Sequence, residues 1–236
     1  MTEGVSEQGF WAEEFDLSAL TYRQFLAFFF DRPVVGDKDQ YDLFRSGVDY
    51  FVASDPAIVV AHLHAMCQGL SELTTIYSHE QLDQGLWAVF GAGISCEQYL
   101  FDAAMDLGLR IDCVESMYLP FRDIVAQSSL DKTESLYFMW WDMILHTFWQ
   151  MADDYKFDYP ALSTDGKQIM EAMYRTLLKI LALEHPACQW SALHGLGHLN
   201  HPLGREAVQN YLDIHGSDVS QEDVKWIARC RDGTNA

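Results

Sequence analysis

The chain lacks positive charge over a long central stretch. Between Arg45 and Arg110 there is no lysine or arginine, whereas eight acidic residues occur there: Asp49, Asp55, Glu72, Glu80, Asp83, Glu97, Asp102 and Asp106. Over all 236 residues, 35 acidic residues oppose 15 basic ones, giving a formal charge of −20. Such a field repels phosphate backbones and anionic lipid, and it attracts cations and basic protein surfaces. We therefore expect no nucleic-acid partner and a basic protein partner.

The chain also has few cysteines and no long uninterrupted hydrophobic run. Its five cysteines are scattered without a Cys-x-x-Cys pair, which is typical of a reducing compartment and not of a disulfide framework. The longest apolar runs, residues 25–30 and 136–149, are too short or are interrupted by polar residues, so no membrane span is expected. The first residues do not have the pattern of a secretion signal. The sequence predicts a cytoplasmic protein.

No complete catalytic signature is present. The chain contains no Gly-x-Ser-x-Gly motif, no His-Glu-x-x-His motif and no Glu-x-x-His pair. The segment 91–95 (Gly-Ala-Gly-Ile-Ser) lacks the Lys-Ser/Thr that completes a phosphate-binding loop, and it indicates a turn between helices. These absences favour a non-enzymatic protein without a cofactor, although they leave enzyme activity open.

The apolar residues follow a helical period. They recur every third or fourth position from Val59 to Leu73 and again from Ile169 to Leu181, and Asp55-Pro56 is typical of a helix start. Strand patterns are scarce. The sequence predicts an all-α protein of nine to eleven helices. Residues 1–16 are expected to form an acidic, loosely ordered segment, and residues 17–236 a single domain.

One segment repeats another and carries a family resemblance. Asp55-Pro56-Ala57 followed by a Leu-His pair is echoed by His185-Pro186-Ala187 followed by Leu193-His194, at the same spacing. Residues 185–215 resemble a HEAT-like helical repeat of the bilin-lyase type, although they lack its Asp-Val-Arg step. The resemblance implies a curved array of antiparallel helix pairs, an α-solenoid that acts as a binding scaffold. The alternative is an irregular helical bundle in which two unrelated helices begin with proline.

Five of the nine histidines lie within 31 residues, from His185 to His215. On a helix, one face would carry Trp190, His194, His198 and His201. His194 and His198 are four residues apart, the spacing at which one helix can offer two imidazoles to a divalent metal. Three interpretations stay open: a polar face that hydrogen-bonds neighbouring helices, a partner-binding face, or a metal site. The third ligand of such a site would be one of four residues, namely His64, Asp142, His146 or His215.

A second pair of polar residues, Asp142 and His146, occupies the most apolar predicted helix, also at a spacing of four. A carboxylate that orients an imidazole could serve as a general-base dyad. A buried polar contact of purely structural importance explains the same pair, and we favour it.

Two functional hypotheses follow. The first is a protein–protein interaction module whose acidic face, with Glu72, Glu80 and Asp83, binds a basic partner, as an immunity-type inhibitor of a cationic toxin or nuclease would. The alternative is a metal-dependent hydrolase that uses His194 and His198. An excess of surface acids also aids solubility, which is a simpler explanation of the charge.

Overall fold

A computed structural model describes residues 14–36, 40–45, 47–91, 94–133, 136–151 and 159–234. Within these residues the chain is mostly helical, which confirms the all-α prediction at the level of class. The α-helices are α1 (Tyr22–Phe30), α2 (Gln40–Arg45), α3 (Pro56–Leu73), α4 (His79–Val89), α5 (Leu107–Ser116), α6 (Tyr118–Asp123), α7 (Leu136–Met151), α8 (Thr164–Leu181), α9 (Pro186–Leu199), α10 (Gly204–His215) and α11 (Gln221–Asp232). Short 3-10 turns cover Leu17–Ala19, Cys96–Phe101, Val125–Gln127 and Tyr159–Ala161.

The two proline-started helices begin in the same way. The Asp55 carboxylate accepts a hydrogen bond from the Ala57 amide at the start of α3, at 3.2 Å. At the start of α9, His185 Nδ1 accepts one from the Ala187 amide, at 3.3 Å. Each bond satisfies an amide that has no partner inside the helix. The sequence echo therefore corresponds to two equivalent helix starts.

The helix α9 occupies the centre of the C-terminal half. It packs against α7, α8, α10 and α11, and eleven of its fourteen residues are buried. A close approach occurs at Gly195, where a Cβ atom would lie 2.7 Å from Trp141 Cβ and 2.7 Å from Leu177 Cδ2. Glycine is needed there because any side chain would separate α9 from α7 and α8. The close neighbours of the backbone at Gly195 are thus core side chains of α7 and α8.

A short strand pair was not predicted from the sequence. β1 (Glu14–Asp16) pairs in parallel with β2 (Tyr50–Val52), and Phe15 lies opposite Phe51. Each strand has only three residues, too few for an alternating pattern to be recognised. The strand pair places the first described residues next to the turn before α3. There the Asp16 carboxylate accepts a hydrogen bond from the Ser54 amide at 3.2 Å.

The N-terminal prediction falls partly on residues outside the structure. Residues 14–16 of the acidic segment form β1, whereas residues 1–13 lie outside the described residues. None of the described helices is both long enough and hydrophobic enough to cross a lipid bilayer. The repeat-like, solenoid arrangement stays a prediction.

Candidate functional site

The structure brings the histidine pair of α9 together with an acid of α7. His198 Nε2 lies 3.1 Å from His194 Nε2 and 3.3 Å from Asp142 Oδ1. One possible ligand atom from each of these three residues lies within 4.8 Å of the other two. Asp142 is one of the four residues that the sequence offered as a third ligand. We call Asp142, His194 and His198 the Asp-His-His cluster.

His194 is held firmly in this cluster. Its Nδ1 lies 3.3 Å from the carbonyl oxygen of Phe138, one turn before Asp142 on α7. Its ring stacks on the Phe138 ring, with 4.5 Å between centroids and an interplanar angle of 4°. Burial lowers the pKa of His194, and the neighbouring His198 lowers it further. The imidazole is therefore neutral near pH 7, with Nδ1–H donating to the carbonyl and Nε2 directed at His198.

His198 and Asp142 form the solvent-facing side of the cluster. Their side chains are 21% and 31% exposed, whereas His194 as a residue is only 6% exposed. Burial lowers the pKa of His198, and the nearby Asp142 carboxylate opposes that effect. Two neutral imidazoles thus stand beside one carboxylate at an edge that water can reach.

The other two residues of the predicted face are buried in different surroundings. Trp190 is 5% exposed and stacks on Trp226 at 5.4 Å, with the Lys132 ammonium 4.4 Å from its ring centroid. His201 lies beyond the end of α9, because Asn200 adopts a left-handed conformation with φ 51°. It stacks on Tyr174 at 4.1 Å, and its Nε2 lies 3.1 Å from Glu171 Oε2. The common face therefore ends at His198.

The Asp142–His146 pair forms neither the general-base dyad nor the buried polar contact that we favoured from the sequence. His146 is exposed, and the ion pair of Asp142 is made with His198. His64 and His215, the remaining sequence candidates, are not members of the Asp-His-His cluster. The imidazole that Asp142 contacts is that of His198, on the neighbouring helix α9.

A second candidate site is a cleft of about 1050 Å³ between α3, α4, α6 and the start of α7. We call it the acidic cleft. Its lining comprises Val34, Ser71, Thr74, His79, Glu80, Leu82, Asp83, Gln84, Asp123, Ile124, Gln127, Ser128, Ser129, Leu130 and Tyr137. Hydroxyls, amides and three carboxylates dominate this set, and no lysine or arginine of the described part of the chain belongs to it. Its volume is that of a ligand-binding pocket, about 300–1000 Å³.

The three carboxylates of the acidic cleft differ in their surroundings. Asp83 is half-buried and accepts a hydrogen bond from the Leu136 amide at 3.1 Å, and burial raises its pKa. Glu80 is exposed, and hydrogen bonds from its own backbone amide and from Ser78 lower its pKa. Asp123 is bound by Arg122 through contacts of 2.6 and 2.7 Å. Among the described residues, no lysine or arginine forms an ion pair with Glu80 or Asp83, in contrast to Asp123.

Of the predicted acidic residues, the structure places Glu80 and Asp83 in one cleft. Glu72 is exposed in the last turn of α3, next to Ser71, which lines the same cleft. The sequence did not point to Asp123, Tyr137 or the serines at 128 and 129. These residues lie about 35 to 50 positions after the end of α4, and no local pattern shows that such segments meet.

A further acid is buried away from both sites. Glu97 is 1% exposed, and its Oε1 accepts a hydrogen bond from Thr147 Oγ1 at 2.9 Å. Burial raises its pKa to about 8. The side chain is thus protonated at neutral pH and serves as a polar group within the core.

Comparison with protein-family models, with curated proteins and with solved structures finds no match to this chain. The function is therefore argued from the chain's own residues.

Proposed function

We propose that the protein is a non-enzymatic interaction module whose acidic cleft accepts a lysine- or arginine-bearing segment of a basic protein partner. The observation that carries the proposal is the lining of the cleft, whose described residues include three carboxylates and no lysine or arginine. A cationic toxin or nuclease domain, or a nucleic-acid-binding protein, would present such a segment. The proposal leaves the Asp-His-His cluster out of partner binding.

The electrostatics of Asp83 support a cationic occupant. Its carboxylate is withdrawn from solvent, and burial raises its pKa because, among the described residues, no neighbouring cation offsets the loss of water. An ammonium or guanidinium group in the cleft would supply that charge and lower the pKa again. Binding near the pKa of Asp83 should consequently release a fraction of a proton, which calorimetry in buffers of different ionisation enthalpy measures.

The wider surface supports fast association with such a partner. The stretch without lysine or arginine, residues 46–109, includes α3 and α4, which form one wall of the cleft. Exposed acids there, such as Glu72 and Glu80, add to the field of a chain with a formal charge of −20. Long-range attraction of this kind raises association rates and is screened by salt.

The test uses a peptide of ten lysines with blocked termini, measured by calorimetry at low and at moderate salt. The wild type should bind it, and binding should weaken steeply as salt rises. Asp83→Asn and Glu80→Gln remove charge while keeping side-chain size, and the amide oxygen that Asp83→Asn introduces still accepts from the Leu136 amide. A hydrogen bond to a charged group contributes about 1.5–3 kcal/mol and one to a neutral group about 0.5–1.5 kcal/mol. Each substitution should therefore cost about 1–1.5 kcal/mol of binding free energy, and the double variant should lose roughly 30–150-fold in affinity.

The matched control is Glu206→Gln, which removes one exposed charge from α10, outside the acidic cleft. It should change affinity only slightly, through net charge. If the double variant binds the peptide as tightly as the wild type, or if Glu206→Gln loses as much, the acidic cleft is not the binding site.

A further inference from the structure

We propose that Asp142, His194 and His198 bind one divalent transition-metal ion, with the remaining coordination position open to water. This site is separate from the proposed partner-binding function, because none of its residues lines the acidic cleft. It also gives the metal-dependent alternative raised by the sequence a definite third ligand.

The spacing of the donor atoms fits a shared ion. Zinc–nitrogen and zinc–oxygen bonds measure about 2.0–2.2 Å, so two ligands at a tetrahedral angle lie about 3.4 Å apart, and at a right angle about 2.9 Å. The His194–His198 and His198–Asp142 separations of 3.1 and 3.3 Å lie between these values. The His194–Asp142 separation is at most 4.8 Å, so ion binding requires the Asp142 side chain, which is 31% exposed, to turn toward His194.

The surroundings of His194 are those of a metal-ligating histidine. Such residues donate their second ring N–H to a carboxylate or a backbone carbonyl, which fixes the tautomer and aims the other nitrogen at the ion. His194 Nδ1 makes this contact with the Phe138 carbonyl, and stacking on the Phe138 ring fixes the plane of the imidazole. Nε2 is thereby oriented toward His198 before any ion arrives.

The charges at the cluster also indicate a cation. Among the described residues, the ion pairs of Asp142 comprise only the contact with His198. No lysine or arginine among the described residues pairs with that carboxylate. A divalent ion compensates its charge and replaces the one proton that His198 Nε2 shares between two acceptors.

The donor set defines the class of ion. Two imidazoles and one carboxylate suit zinc, iron(II), cobalt(II) or manganese(II), and the absence of a thiolate disfavours copper(I). Three protein ligands with a solvent-facing edge form the arrangement of catalytic zinc sites, whereas structural sites have four protein ligands. The exposed edges of His198 and Asp142 leave room for the fourth, water-derived ligand.

Cobalt(II) titration of untagged protein, stripped of metal by chelator dialysis, tests the site. We expect one equivalent to bind with the visible absorption of a four- or five-coordinate ion, and one equivalent of zinc to displace it. His198→Ala should abolish this spectrum. Substitution of residues that only hydrogen-bond to metal ligands typically lowers metal affinity about 10–100-fold. Asp142→Asn changes a ligand itself and should weaken cobalt binding at least as much.

His146→Ala is the matched control, because it removes an exposed histidine from α7 one turn after Asp142. This variant should bind cobalt as the wild type does. Circular dichroism shows whether each variant is folded. If His198→Ala unfolds the chain because its ring is lost, the conservative Asp142→Asn still tests the site. Binding that is absent, unsaturable, or unchanged in both His198→Ala and Asp142→Asn overturns the proposal.

Discussion

The buried Glu97 should make the protein less stable as the pH rises. In the folded chain its pKa is raised from 4.5 to about 8, so the folded state keeps a proton that the unfolded chain releases above pH 4.5. Stability from this group is therefore complete below about pH 4.5, declines as the pH rises, and is lost above about pH 8. At about 1.4 kcal/mol per pH unit, the full loss amounts to about 5 kcal/mol.

Glu97→Gln isolates this effect, because glutamine retains the shape and an acceptor for the Thr147 hydroxyl but does not titrate. At pH 5 the free energies of unfolding of the two proteins should agree within about 1 kcal/mol, since both side chains are neutral. At pH 9 the variant should be more stable by several kcal/mol. Urea denaturation at one-unit steps from pH 5 to pH 9 gives the difference between the two curves.

The control is Glu222→Gln, an exposed acid in the first turn of α11, whose curve should run parallel to that of the wild type. Other groups that titrate in this range contribute equally to wild type and variant, so they cancel in the difference. If the difference for Glu97→Gln stays constant from pH 5 to pH 9, the carboxyl is not a buried, protonated group and the argument fails.

Two further predictions concern packing and helix starts. Gly195→Ala should lower the free energy of unfolding by about 1–3 kcal/mol, because the new Cβ would lie 2.7 Å from Trp141 Cβ. Gly69→Ala lies within α3, where the nearest neighbour of the new Cβ is 3.9 Å away. It should raise the free energy of unfolding by about 0.5–1 kcal/mol. Chemical denaturation of the pair tests this, and equal effects would contradict it. Asp55→Ala should lower the free energy of unfolding by about 1 kcal/mol, because the cap of α3 is lost. Asp55→Asn retains the acceptor and should lower it much less. Similar losses in both variants would show that the cap hydrogen bond contributes little.

Local features of the chain were predictable because their causes are local. Asp55-Pro56 starts α3, as the sequence predicts. The stripe from Val59 to Leu73 lies on the buried side of that helix. Each feature depends on residues within about one turn of one another.

The candidate sites required information that no local pattern contains. The proximity of His194 and His198 follows from helical spacing, but the approach of Asp142 depends on how α7 packs against α9. The left-handed Asn200 removes His201 from the face on which a continuous helix would place it. Similarly, the acidic cleft depends on segments far apart in the chain, so Asp123 could not be associated with Asp83.

The central position of α9 determines how its backbone amides exchange with deuterium. Because α7, α8, α10 and α11 cover this helix, no small local opening exposes its hydrogen bonds to water. Its slowest amides should exchange only when the whole domain unfolds, and their rates then report global stability directly. An ion or ligand that is held by side chains of α9 would slow this exchange throughout the domain, at positions far from the contact itself.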